Sequence, residues 1–169
     1  MTTDRMGITG SVVVSLYAGE RCIHRQQRSN LITTVGDIYY AAMAIAGVSP
    51  AAPAAPTLVT GMKLGTGTAD TAKSGTGSAL GVYLSGSNMA FDATYPLVAT
   101  PASYVTYRCT WAAGVATAGA ISEVALVTDA ATNATSAEAN TIARLSLASI
   151  SKGAGNTLVV AWTHRFLGA

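Results

Sequence analysis

Ser103-Tyr104-Val105-Thr106-Tyr107-Arg108-Cys109-Thr110-Trp111 alternates without interruption. Val105, Tyr107, Cys109 and Trp111 fall on one face, and Tyr104, Thr106, Arg108 and Thr110 on the other. A period of two is the mark of a strand with one buried side. The same pattern returns at Thr157–Leu167, where Leu158, Val160, Trp162, His164 and Phe166 share a side. It appears again at Ile8–Tyr17, where Val12, Val14 and Leu16 alternate with Ser11, Val13 and Ser15. Arg21–Gln27 reads as the hairpin partner of that strand, after the Gly19-Glu20 turn. Leu58–Leu64, Ile121–Thr128 and Thr141–Ser149 complete a set of short strands divided by Gly, Ala, Thr and Asn turns. Such spacing predicts a mainly β chain folded as an antiparallel β-sandwich. Its core is expected to contain Val105, Tyr107, Cys109, Trp111, Leu158, Val160 and Trp162.

One helix is expected, over about residues 35–46, at the side or rim of the sandwich. Asp37 lies in its first turn, where a carboxylate complements the helix dipole. Ile38, Ala42 and Ile45 share a stripe, and Gly47 ends it. Residues 48–57 hold the run Ser49-Pro50-Ala51-Ala52-Pro53-Ala54-Ala55-Pro56, which reads as an extended Pro/Ala spacer. Residues 65–78 form a Gly/Thr/Ser-rich loop. Both low-complexity segments offer little to a core and are expected to be mobile in a lone subunit. The whole of 1–169 is expected to be a single domain.

Composition narrows the functional classes. Of 169 residues 32 are Ala, 22 Thr and 17 Gly, and only 11% are charged. A typical soluble domain carries about 25% charged residues. So lightly charged an exterior suits a chain packed against copies of itself, and a homo-oligomer is expected. A net charge of +2, with Arg21, Arg25 and Arg28 as the only basic cluster, argues against a nucleic-acid partner. No apolar stretch approaches the about 18 residues of a membrane span. Nor do the first twenty residues contain a signal-peptide core, so synthesis in the cytoplasm without membrane attachment is expected.

Sites of chemistry are sparse. Gly67-Thr68-Ala69-Asp70-Thr71-Ala72-Lys73-Ser74 imitates a phosphate loop but has Ala72 where the second glycine must be. Cys22-x-His24 is two ligands short of a structural zinc. His164, between Trp162 and Phe166, suits an interior histidine, and no nucleophile elbow accompanies it. No metal or cofactor is expected, and no catalytic residue. Glu123 is the residue that needs an explanation. It shares a predicted strand face with Ile121, Ala125 and Val127, and an unpaired carboxylate there would be costly. A structural ion pair with Arg108 or Arg144, or hydrogen bonds from backbone N–H groups, is expected, with Glu123→Gln costing little and Glu123→Ala costing more.

Several of these residues stand in a familiar order. Asn30-Leu31-Ile32-Thr33-Thr34-Val35-Gly36 leads into the helix, and Met62-Lys63-Leu64-Gly65-Thr66-Gly67-Thr68 follows it. Then come Ile121-Ser122-Glu123-Val124-Ala125-Leu126, Ile150-Ser151-Lys152 and Leu158-Val159-Val160-Ala161-Trp162. Over roughly residues 28–167 this order resembles tailed-bacteriophage virion structural proteins. The resemblance implies a non-enzymatic β-sandwich on the phage particle, as head decoration (cement), neck-collar or tail. Its partners would be copies of itself and other virion proteins: major capsid, portal/neck or tail subunits. Two other functions follow from the residues. A receptor- or carbohydrate-binding tip would use exposed Tyr83, Phe91, Tyr95 and Tyr104. A small hydrolase would set an acid against His164.

Overall fold

Residues 7–45, 57–68, 71–99 and 103–167 are described by a computed structural model. The spacer expected at 48–57 lies, except for Thr57, outside the described residues.

The first strand, β1 (Gly7–Ala18), turns at Gly19-Glu20 into β2 (Arg21–Ser29). Gly19 takes φ +58, a left-handed conformation that glycine adopts without penalty. A short β3 (Leu31–Ile32) leads into the helix α1 (Thr34–Ile45). After it come β4 (Gly61–Gly65), β5 (Met89–Ala90), β6 (Leu97–Ala99) and β7 (Tyr104–Trp111). The chain ends in three long strands, β8 (Ala118–Val127), β9 (Thr141–Lys152) and β10 (Asn156–Leu167). They form two five-stranded antiparallel sheets, ordered β2-β1-β10-β7-β6 and β3-β9-β8-β4-β5. This is the expected mainly β, two-sheet sandwich with one helix.

Alternation in the sequence becomes the core. Val12, Val14 and Leu16 of β1 meet Leu158, Val160 and Trp162 of β10, in register with Tyr107, Cys109 and Trp111 of β7. Met62, Leu64, Val124, Leu126, Ala143 and Leu145 of the second sheet close over them. Six of the seven expected core residues are buried, and Val105, nearer the strand end, is half-buried against the same cluster.

The helix is where expected but shows the core another side. Ile38 is 64% exposed and Ala42 half-buried, while Gly36, Tyr39 and Tyr40 are buried. The reason lies at the helix start. Thr33 caps it, its hydroxyl accepting the Gly36 N–H at 2.9 Å while donating to the carbonyls of β9. A methyl at Gly36 would overlap the Ile142 carbonyl oxygen, so this glycine lets the first turn press on β9. Once that turn is fixed, Tyr39 and Tyr40 face inward against Ile142, Ile8 and Val59.

Candidate functional site

Glu123 is fully buried, as expected, and shares a side with Ala125 and Val127, but Ile121 does not join them. The β8–β9 register shifts between Ile121 and Glu123, so strict alternation breaks there. Ile121 joins the central core with Val124 and Leu126. Ala125 and Val127 instead form a second small cluster with Leu80, Ala130 and Tyr83. Glu123 lies on this far side, beneath the chain that follows β4. Its carboxylate accepts the N–H groups of Gly67 at 2.9 Å, Gly81 at 3.0 Å and Val82 at 3.2 Å, and is ion-paired to Arg144. Arg144, also fully buried, donates on to the Gly77 carbonyl at 2.6 Å. Four donors fill the lone-pair directions of a carboxylate, leaving it no capacity to take a proton from a substrate.

The expectation for residues 65–78 is corrected by the same contacts. This loop is not a detached arm, because Gly67 and Gly77 are tied through Glu123 and Arg144 to the sheet. Ser122 donates to the Gly67 carbonyl, the Thr34 N–H to the Lys73 carbonyl, and the Gly75 N–H to Glu138. A loop without large apolar side chains is held here mainly through its main chain, with Lys73 adding a surface ion pair to Asp37. Gly65 and Gly67 are required by it: a Cβ at either would stand 2.5 Å from the Glu123 carboxylate.

Arg108 is not a partner of Glu123. It lies on β7, in the other sheet, with its guanidinium 3.0 Å from Asp92 and against the ring of Tyr95. Its neighbours Tyr107 and Cys109 face the core, so Arg108 faces outward. A second buried ion is instead Lys63 of β4, beside Asp129 at 3.1 Å and donating to the Ala134 carbonyl. Sequence reading passed over it. The signal was there, since Lys63 lies between Met62 and Leu64 as Glu123 lies in its own apolar strand.

His164 is buried at the junction of α1 with the first sheet. The Trp162 indole N–H donates to Nε2 at 2.9 Å, which places the ring proton on Nδ1, hydrogen-bonded at 2.5 Å to the Tyr40 hydroxyl. Tyr40 in turn meets Tyr107 at 3.3 Å, and Asn30 approaches Nε2 at 3.3 Å. Burial pushes the imidazole down to about 4, so it is neutral near pH 7. It raises both tyrosine hydroxyls above their ordinary range. Lys152, the lysine of the C-terminal pattern, donates to the Ala112 carbonyl at 3.0 Å, and burial lowers its pKa.

The four aromatic rings considered for a binding tip are all at least half-buried and engaged within the chain. Tyr83 meets Asn88 and Asn133, Phe91 packs on Tyr107, and Tyr95 and Tyr104 lie against Arg108 and Arg165. Two open depressions stand out among the described residues. One, of about 920 Å³, runs between α1 and the first sheet past Ile8, Tyr39, Met43, Val98 and Phe166. The other, of about 550 Å³, lies on the outer face of that sheet, floored by Val13, Ser15, Val159 and Ala161. His164 and Glu123 line neither. Among the described residues no group of three His, Cys, Asp or Glu stands close enough to hold a metal. None of the described helices is long and apolar enough to cross a membrane. The chain matches no family model, no curated protein and no solved structure.

Proposed function

We propose that this chain is a non-enzymatic structural subunit of a tailed-bacteriophage particle, a head-decoration (cement) or neck-collar protein that binds copies of itself and other virion subunits. The particle is suggested by the order of motifs in the sequence. The mode of action is supported by one observation: the buried groups that could do chemistry are already committed to the fold. Glu123 is filled by four donors, Lys63 by Asp129 and a carbonyl, and His164 by Trp162 and Tyr40. The motif residues Asn30, Gly36, Gly65, Gly67, Glu123 and Lys152 each hold one element to another, and Trp162 fills the core. They explain why such a chain folds this way; a fold does not by itself assign an activity. The outer face of the first sheet presents Val13, Thr157, Val159 and Ala161 bordered by Tyr17, Arg25, Tyr95 and Arg108, a surface suited to lying against a neighbour.

Quantitative mass spectrometry of purified particles tests this reading. A large copy number means capsid decoration, and a few copies mean neck or tail. Absence from the particle overturns the proposal.

A further inference from the structure

Strand β2 lies at an edge of the first sheet, with β1 on one side and no described strand on the other. Its main chain is therefore half used. The Asn30 N–H donates to the Gly10 carbonyl, and Arg28 stands opposite Val12 and Gln26 opposite Val14. In an antiparallel pair such residues alternate with residues whose main-chain groups point away. By that alternation Arg25, Gln27 and Ser29 direct their N–H and C=O groups to the open edge, where the exposed Arg28 side chain caps the Gln27 carbonyl at 3.2 Å and must swing aside for a strand to add. The one irregularity against β1 lies beyond His24, so these residues keep straight, pairable geometry.

The charge on this edge is as particular as its hydrogen bonding. Lys63, Lys73, Arg108 and Arg144 each face a carboxylate. Arg21, Arg25 and Arg28 face none among the described residues, and all three are exposed. Glu20, in the turn, is the one acid beside them. A second copy of β2 does not fit, because pairing the strand with itself sets arginines near arginines, and like charges across a ladder repel. The other edge strands among the described residues, β3, β5 and β6, are two or three residues long and carry no acid.

We propose that β2 is a docking edge for an extended, acidic peptide segment of another protein, which adds to the sheet as a sixth strand. Main-chain bonds to Arg25, Gln27 and Ser29 supply the ladder, and carboxylates beside Arg21, Arg25 and Arg28 supply the selection. The inference goes beyond the proposed function and stands without it, since it rests on the edge alone.

The probe is a blocked six-residue peptide carrying Glu on both faces among Val and Thr, because Arg25 and Arg28 lie on opposite faces of the sheet, titrated into the intact chain by fluorescence anisotropy and amide NMR. Binding should slow hydrogen exchange at Arg25, Gln27 and Ser29. Replacing the three arginines by Ser should weaken binding about tenfold, the scale of three cross-strand charge pairs. The Arg21→Glu, Arg25→Glu, Arg28→Glu variant should prefer the same peptide built with Lys, a gain that a merely misfolded protein would not show. Alternate N-methylation of the peptide backbone should abolish binding. If the N-methylated peptide binds equally well, the edge is an ionic patch and the strand addition is wrong. Tighter binding of a single-stranded oligonucleotide at the same ionic strength also overturns it, as does no binding of the acidic peptide.

Discussion

Replacing Glu123 by Ala is the most informative perturbation of this fold. It removes the counter-charge of a fully buried Arg144 and the acceptor for the Gly67, Gly81 and Val82 N–H groups. Breaking a buried pair by deleting one partner costs roughly 3–5 kcal/mol. An orphaned buried N–H adds roughly 1–3 kcal/mol, less where water enters the space left behind. The expected loss is therefore about 4 kcal/mol or more, against a total stability of roughly 5–15 kcal/mol for a domain. For a chain of this size that lowers Tm by roughly 8–16 °C.

Glu123→Gln separates this account from a simpler one. An amide keeps one acceptor oxygen, but all four neighbours of the carboxylate donate, so its NH2 faces donors whichever way it turns. The substitution should cost about 2 kcal/mol, more than the small cost expected from the sequence. Chemical denaturation of wild type, Gln and Ala variants, with Arg144→Met completing a double-mutant cycle, measures each quantity. A Gln variant as stable as wild type, or negligible coupling between Glu123 and Arg144, would refute the reasoning.

Two further outcomes follow from neighbouring geometry. Gly67→Ala should cost about 2 kcal/mol by equilibrium unfolding, because its methyl would stand 2.5 Å from the Glu123 carboxylate, and the Glu123→Ala background should relieve part of that. His164 is pushed down to about 4 in the fold from an ordinary value near 6.5, so the unfolded chain binds the proton better. Its contribution is complete above pH 6.5 and is lost as pH falls through 4, by up to about 3 kcal/mol. Unfolding curves of wild type and His164→Gln should converge over that window, and parallel curves would sink the assignment.

Strands such as 104–111 and 156–167 were legible because each buries one face and wets the other, so period two survives in the residues. The period says which residues share a face; it does not say which sheet the face belongs to. Arg108 and Arg144 were therefore equivalent on paper, and only the topology gives Arg144 to Glu123 and Arg108 to Asp92. A register shift defeated the pattern at Ile121, since one irregular step changes the side that follows. On α1 the apolar stripe at Ile38 lost to Gly36 and the tyrosines, because close approach to β9 and the hydrogen bonds of Tyr40 decided the rotation.

The loop at 65–78 fails for a deeper reason. Composition measures what side chains can bury, and by that measure Gly, Thr and Ser make a free arm. Here the binding partners are peptide N–H and C=O groups, which every such residue carries, and the ligand for them is a buried ion pair on β8 and β9, with three strands between it and the loop in sequence order. Small residues are then what the contact requires: any Cβ at Gly65 or Gly67 would displace the carboxylate that holds the loop. The glycines answer to Glu123 and to the Val82 main chain together, which a Cβ at Gly65 or Gly67 would approach to 2.7 and 2.9 Å, so a sequence in which the acid is lost should regain only part of its tolerance for side chains there.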